Sequence, residues 1–366
     1  MNQLKKLWRD QKKTVILCGV AVLITIAIII VVTVLLIHLF KKYDGPEIEE
    51  LMVKSTEKYL NANASYLPQE GQEIIVEAST LIQGKYMKDF ERLTKDTCEG
   101  LVKVSKTSSI IRFTPHLKCS NYETQSLYEQ ILSTEPIVVK DEGLYDINNM
   151  YTYRGEFLNN YINFAGFSWR IFKFDAKQIY LILSDTTNTK TLYVYDDRYN
   201  ETIQSNRGKN NFETSRVFLS LKDIYKNDFV KYHKYMLPID ACVHPRSETD
   251  QNKSGAIECT TTVTTNFSML SVYDYMNASL DPLCIEAASR NCSNYNYLST
   301  STNKWWLLNG TDENTFDVYG VDTIGRITLD WAAAKKDVRP VIALPSDLLY
   351  KSGNGTVNNP YTFYEY

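Results

Sequence analysis

Phe167–Leu183 reads FSWRIFKFDAKQIYLIL, and this stretch decides the fold of the larger part of the chain. Apolar and aromatic side chains fill Phe167–Phe174 and Ile179–Leu183, with Asp175-Ala176-Lys177 as a turn between them. Aromatic and β-branched residues in short runs bounded by turn residues suit a pleated, half-buried surface, so the segment predicts a β-hairpin.

The same kind of pattern continues toward the C-terminus. Thr214 or Ser215 can cap a helix to about Phe229 that carries Val217, Leu221, Ile224 and Tyr225 on one stripe. Ser271-Val-Tyr-Asp274 has a capping-box pattern and opens a helix toward Ala278. Lys304–Leu308, Phe316–Val321, Arg326–Leu329 and Val338–Leu344 read as strands, with Gly325 at a turn. Pro340 inside the last of these implies an edge strand or a bulge, because proline has no amide to give to a ladder. Tyr361–Tyr366 adds a final strand. Short strands mixed with few helices predict an α+β domain over 151–366.

Toward the N-terminus the pattern is helical. Ile48, Leu51, Met52, Ser55 and Tyr59 share one face after Asp44-Gly45-Pro46, and Asn61-Ala-Asn63 stops the run. A second helix is expected between Glu73 and Phe90, from Ile74, Ile75, Ala78, Leu81, Ile82 and Tyr86. Gly100–Lys106 and Ser109–Lys118 read as strands of a hairpin flanked by Cys98 and Cys119. Residues 44–145 are thus expected to form a small stalk module of helices plus a hairpin.

Before the stalk lies the most apolar part of the chain. From Thr14 to Phe40 there is no Asp, Glu, Lys or Arg, and 19 of the 27 residues are Val, Ile, Leu or Phe. Each such residue favours insertion by about 0.3–0.6 kcal/mol near a helix centre, which predicts a transmembrane helix over 14–40. The run is longer than a signal-peptide core and ends in Lys41-Lys42 without a small-residue cleavage site. Lys5, Lys6, Arg9, Lys12 and Lys13 precede it, so residues 1–13 are expected to be a basic cytoplasmic tail and the C-terminal region extracellular. The first 42 residues carry seven positive and one negative side chains, which leaves −9 for the remainder of a chain whose net charge is −3. An acidic exported region argues against a nucleic-acid partner.

Six cysteines lie outside the apolar run: Cys98, Cys119, Cys242, Cys259, Cys284 and Cys292. An even number in an exported region predicts disulfides, and near-neighbour pairing (98–119, 242–259, 284–292) is the simplest of the fifteen connectivities. No Cys-x-x-Cys occurs and only four histidines are present, so no metal site is expected.

A series of segments in the second half carries a resemblance. It runs through Tyr153-Arg-Gly-Glu156, Asn159-Asn-Tyr161, Phe164-x-x-Phe167-x-Trp169-Arg170-Ile171 and Met269-Leu-Ser271 leading to Asp274-Tyr275. It continues through Lys304-Trp305-Trp306-Leu307, Gly325-Arg-Ile327, Val338-Arg339-Pro340-Val341 and Ser352-Gly-x-Gly355-Thr356 to Asn359-Pro360-Tyr361. In this order the set resembles a Firmicutes-type family of exported domains often found behind a single membrane helix. It is also distantly similar to the formylglycine-generating, sulfatase-modifying fold, which is C-type-lectin-like. The resemblance covers about residues 151–363 and implies a lectin-like α+β layout. Formylglycine-generating chemistry would need a cysteine pair, for which Cys284 and Cys292 are the candidates, but no aligned motif places them in that role. Many relatives carry Arg after Trp-Trp-Leu, where this chain has Leu308.

Motifs for catalysis are absent from the sequence. There is no His-Glu-x-x-His, Gly-x-Ser-x-Gly, P-loop or Gly-x-Gly-x-x-Gly, so no catalytic residue and no cofactor is assigned. Aromatic side chains bind sugars and peptides by stacking, and Trp305 and Trp306, with Arg326, are the candidate ligand-binding residues. Trp169 is expected in the core, and Arg170 and Arg339 are expected to pair with buried carbonyls or carboxylates. The reading that follows is a membrane-anchored, surface-displayed, non-catalytic binding protein, attached to the membrane through residues 14–40 and meeting a glycan, cell-wall or protein partner. The alternatives are a formylglycine-generating-type enzyme or oxidoreductase, and a structural part of an envelope or pilus-like assembly.

Overall fold

The computed structural model describes residues 42–107, 110–186, 192–247, 255, 257–280, 296–299 and 301–365. They fall into two compact units. One holds the described residues up to Ser105 with Pro115–Thr124, and the other holds Lys106–Thr114 with the chain from Gln125 onward.

The first unit opens with helix α1 (Gly45–Ala62). Its start is set by a capping box: the Glu47 amide donates to Asp44 Oδ1 at 2.9 Å and the Asp44 amide donates back to Glu47 Oε2 at 3.2 Å. Ile48, Met52, Val53 and Leu60 form its buried face. Next come β1 (Glu73–Glu77), α2 (Ala78–Gln83), α3 (Phe90–Leu93) and the long strands β2 (Cys98–Thr107) and β3 (Ile110–Cys119), in a sheet of order β1-β2-β3. The helix expected over 73–90 is therefore a strand first and a helix only from Ala78. Ile74-Ile75-Val76 is a β-branched run, stiff at χ1 and better suited to a ladder, and it pairs with Lys103–Val104 and Val102 of β2. The Cys98–Cys119 disulfide closes the hairpin of β2 and β3 across a separation of 21 residues. A loop of this size gains about 3 kcal/mol from its crosslink in the chain-entropy picture.

The expected fold class needs correction at its N-terminal element. Among the described residues no helix is long and apolar enough to cross a membrane. The longest described helix, α1, is an 18-residue amphipathic segment that carries Glu47, Glu49, Glu50, Lys54, Glu57 and Lys58. The expected basic tail, 1–13, and the expected span, 14–40, lie outside the described residues. The described fold is α+β with antiparallel sheets and few helices, and a transmembrane helix followed by a stalk and a lectin-like domain is not its description.

The second unit contains helix α4 (Leu127–Thr134) and the strands β4 (Gly143–Ile147), β5 (Met150–Arg154), β6 (Tyr161–Phe164), β7 (Phe167–Phe174) and β8 (Gln178–Leu183). After β9 (Tyr193–Val194) come α5 (Arg216–Asp228), β10 (Ile239–Cys242), β11 (Thr262–Thr265) and α6 (Val272–Asn277). The chain ends with β12 (Trp305–Gly310), β13 (Asp317–Val321), β14 (Ile327–Trp331), β15 (Lys335–Lys336), β16 (Val341–Pro345), β17 (Tyr350–Ser352) and β18 (Thr362–Phe363).

The main sheet runs β16-β8-β7-β5-β4, with β6 also paired to β7. A second sheet runs β12-β13-β14. Every described strand pair is antiparallel, and parallel pairing occurs only as isolated bridges such as Ile162 with Tyr361.

The β6–β7 turn is a two-residue loop in which Ala165 (φ 54°) and Gly166 (φ 80°) are both left-handed, the pattern of a type I′ hairpin. It fixes Phe167 at the start of β7. Strand β16 begins at Val341, after Pro340 rather than before it. Pro340 still contributes its carbonyl, which accepts from the Leu183 amide at 3.0 Å. Trp169, Phe174, Tyr195, Trp305, Trp306, Tyr319 and Tyr361 are all buried in one core.

Candidate functional site

Where β7 leaves its turn, one end of the core stays open. Phe167 and Trp169 are two apart on β7 and so share a face. Phe167 is 49% exposed while Trp169 is buried, with its Nε1 donating to the Phe164 carbonyl at 3.0 Å. Helix α5 starts at Ser215, whose hydroxyl accepts from the Phe218 amide, and its 13 residues bring Ile224 and Asp228 to the same place. Phe229, just past the helix, stacks on Phe167 (centroids 5.8 Å apart, planes 19°) and meets Trp169 and Phe267 edge-on at 6.3 and 4.9 Å.

These side chains line a cleft of about 350 Å³, completed by Leu183 to Thr186, Tyr193 and Pro340. That volume lies in the range of small-molecule sites, which combine apolar walls with a few convergent polar groups.

Three polar groups supply the chemistry. Asp185 accepts from the Thr302 amide (3.0 Å) and hydroxyl (2.6 Å) and from the Thr186 amide (2.7 Å). Burial alone would raise its pKa. The Thr302 and Thr186 hydrogen bonds and the nearby Arg339 charge outweigh that, so its pKa lies below the usual carboxylate value and the group stays ionised at neutral pH. Asp228 is exposed at the C-terminal end of α5 and makes no ion pair among the described residues. Thr186 is 4% exposed, and its Oγ1 is buried with no hydrogen-bond partner among the described residues. A buried hydroxyl left without a partner costs on the order of 1–3 kcal/mol.

Arg339 fixes the wall. It is fully buried and donates to the carbonyls of Leu183 (3.0 Å), Ser184 (2.9 Å) and Leu298 (2.9 Å), with its guanidinium 4.9 Å from the Trp305 ring centroid. Burial lowers its pKa to about 10, with Asp185 opposing, and it remains charged. Three carbonyls from two segments, Leu183-Ser184 and Leu298, are thus held by one rigid fork. Arg170 is also buried; it donates to Asn160 Oδ1 and lies 3.9 Å from the Tyr161 ring centroid.

The residues expected to bind ligand lie elsewhere. Trp305 and Trp306 are both 0% exposed, and Trp306 Nε1 donates to the Tyr193 carbonyl at 3.0 Å. A stacking platform needs an open ring face, and neither indole has one. The two neighbours on β12 face opposite sides, but both sides are covered. Arg326 is tied into its own turn, with Nε 2.9 Å from Asp322 Oδ2. None of the three lines the cleft.

The disulfides Cys98–Cys119 and Cys242–Cys259 are formed, whereas Cys284 and Cys292 lie outside the described residues. Among the described residues, the one grouping with metal-ligand spacing is Asp96, Cys98 and Cys119, whose two sulfurs are already bonded to each other. The cleft went unrecognised in the sequence because its walls come from positions near 167, 185, 228 and 267, with no motif joining them.

No protein-family model, no curated protein and no solved structure matches the chain.

Proposed function

We propose that this chain is an exported, non-catalytic binding protein and that the cleft between β7 and α5 is its ligand site. The observation that carries the reading is an open cavity of about 350 Å³ whose walls are mostly apolar and aromatic and whose edge carries the carboxylates of Asp185 and Asp228. Two disulfides support action in an oxidising compartment outside the cytoplasm. The charge-free apolar segment 14–40 supports retention at a membrane surface. Among the described residues every cysteine is bonded, so the polar groups of the cleft are suited to recognition rather than thiol chemistry.

The test is ligand-observed NMR on the full chain in a mild detergent, with a library of small aromatic and branched aliphatic fragments. The expected result is saturation transfer to a subset of fragments that compete with one another, lost in Ile224→Glu. That substitution puts a charge on a half-buried position of the wall. Absence of transfer to every fragment, or transfer indifferent to Ile224→Glu, would overturn the reading.

A further inference from the structure

We infer that Asn354 is a site of self-modification, at which the Gly355 main-chain nitrogen attacks the Asn354 side-chain amide, with Thr356 promoting the step, and asparagine becomes aspartate and isoaspartate. The site does not line the ligand cleft.

The sequence holds two Asn-Gly dipeptides, Asn309-Gly310 and Asn354-Gly355. Glycine has no Cβ, so nothing on the following residue obstructs closure of a ring between its nitrogen and the asparagine Cγ. Asn309 is nevertheless locked. It is 0% exposed, its Nδ2 donates to the carbonyls of Cys242 (2.9 Å) and His244 (3.0 Å), and its Oδ1 accepts from the Val272 amide (3.0 Å). A side chain clamped on both ends cannot turn onto the next nitrogen, and water does not reach it.

Asn354 stands in the opposite condition. It is exposed, and its Oδ1 accepts from the Thr356 hydroxyl at 2.9 Å and from the Thr356 amide at 3.4 Å. That hydroxyl itself accepts from the Asn359 amide at 3.2 Å, which polarises it as a donor. The Asn354 amide donates to the Asn359 carbonyl at 2.9 Å and holds the turn closed. The Gly355 amide donates to no group among the described residues, so its nitrogen is not tied up. The rest of Gly355 is fixed. Its φ is 74°, a Cβ would stand 2.1 Å from the Asn159 carbonyl oxygen, and its own carbonyl accepts from the Tyr161 amide at 2.8 Å.

The chemistry follows from this placement. Hydroxide takes the Gly355 amide proton, the nitrogen bonds to Asn354 Cγ, and the negative charge moves onto Oδ1. The Thr356 O–H and N–H already face that oxygen, as donors of an oxyanion hole do. Collapse breaks the Cγ–Nδ2 bond, and Nδ2 leaves as ammonia with a proton from water, which restores the hydroxide. A cyclic imide remains. Water opens it at Cγ to give aspartate, or at the main-chain carbonyl to give isoaspartate, whose chain runs through Cγ. Isoaspartate adds a methylene to the main chain just before Gly355, where Asn159 and Tyr161 leave no slack.

The experiment incubates the full chain in mild detergent, digests it, and maps by fragmentation mass spectrometry where NH has been replaced by O. The expected result is conversion at Asn354, faster as pH rises, with Asn309 unchanged while the chain is folded. In denaturant both convert. Thr356→Val should slow the folded-state conversion at Asn354 about tenfold, and Thr356→Ser, which keeps the hydroxyl, should retain the rate. Neither substitution should change the rate in denaturant. Asn354 intact in the folded chain while it converts in denaturant would overturn the assignment. So would a folded-state rate that Thr356→Val leaves unchanged.

Discussion

At the residue scale, buried charges have the sharpest consequences. Arg339 satisfies three carbonyls at once, and losing it would leave them unpaired in the core. Arg339→Met is expected to destabilise the second unit by about 3 kcal/mol or more in a denaturant titration. Because Leu183 and Ser184 line the cleft, it should weaken ligand binding as well. Glu258 is 1% exposed and bonded to Arg246 (2.9 Å) and to the Tyr273 amide (3.0 Å). Burial raises its pKa from 4.5 to about 7, against the pull of Arg246. A raised native pKa means the native state holds the proton more tightly than the unfolded chain. The stabilisation is complete below about 4.5 and is lost as pH rises through about 7. The melting temperature of the wild type should therefore fall between pH 5.5 and 8.5 relative to Glu258→Gln, and parallel curves would contradict this.

At the element scale, caps and turns set where the walls of the cleft stand. Ser215 starts α5 with a side-chain hydrogen bond, and Ser215→Ala should cost about 1 kcal/mol of stability by denaturation. Gly166 has φ 80° with nothing within 4 Å of where a Cβ would stand, so Gly166→Ala acts through backbone strain alone. Its expected cost is about 1–2 kcal/mol, together with weaker ligand binding because the turn positions Phe167. Much at this scale was legible in the sequence. The hairpin of β7 and β8, the helix after Ser215 and the cap at Ser271 follow from alternation, stripe and capping chemistry. The stretch 73–90 was not, because apolar residues at 74, 75, 78, 81 and 82 fit a helical stripe. Only the pairing of Ile74–Val76 with β2 reveals the strand. Trp305 and Trp306 misled for a related reason. Alternation puts neighbours on opposite faces of a strand, but it does not tell whether the second face is covered, and here other parts of the fold cover both.

At the scale of the whole molecule, the account is of two disulfide-closed units, the second of which carries a polar-edged aromatic cleft. Cys98–Cys119 and Cys242–Cys259 close loops of 21 and 17 residues, each expected to contribute about 3 kcal/mol. Alkylation without reductant should leave all four of these cysteines unmodified by mass spectrometry, and reduction should lower the unfolding midpoint. Modification of any of the four in the native protein would contradict the pairing. The most direct test of the central claim, that the cleft is the ligand site, is fluorine NMR of the full chain labelled with 5-fluorotryptophan. Among the described tryptophans only Trp169 lines the cleft, while Trp305 and Trp306 are sealed in the core and Trp331 is half exposed on β14. A fragment found to bind should shift the Trp169 resonance and leave those of Trp305 and Trp306 in place. A ligand that binds the chain while the Trp169 resonance does not move would contradict the account.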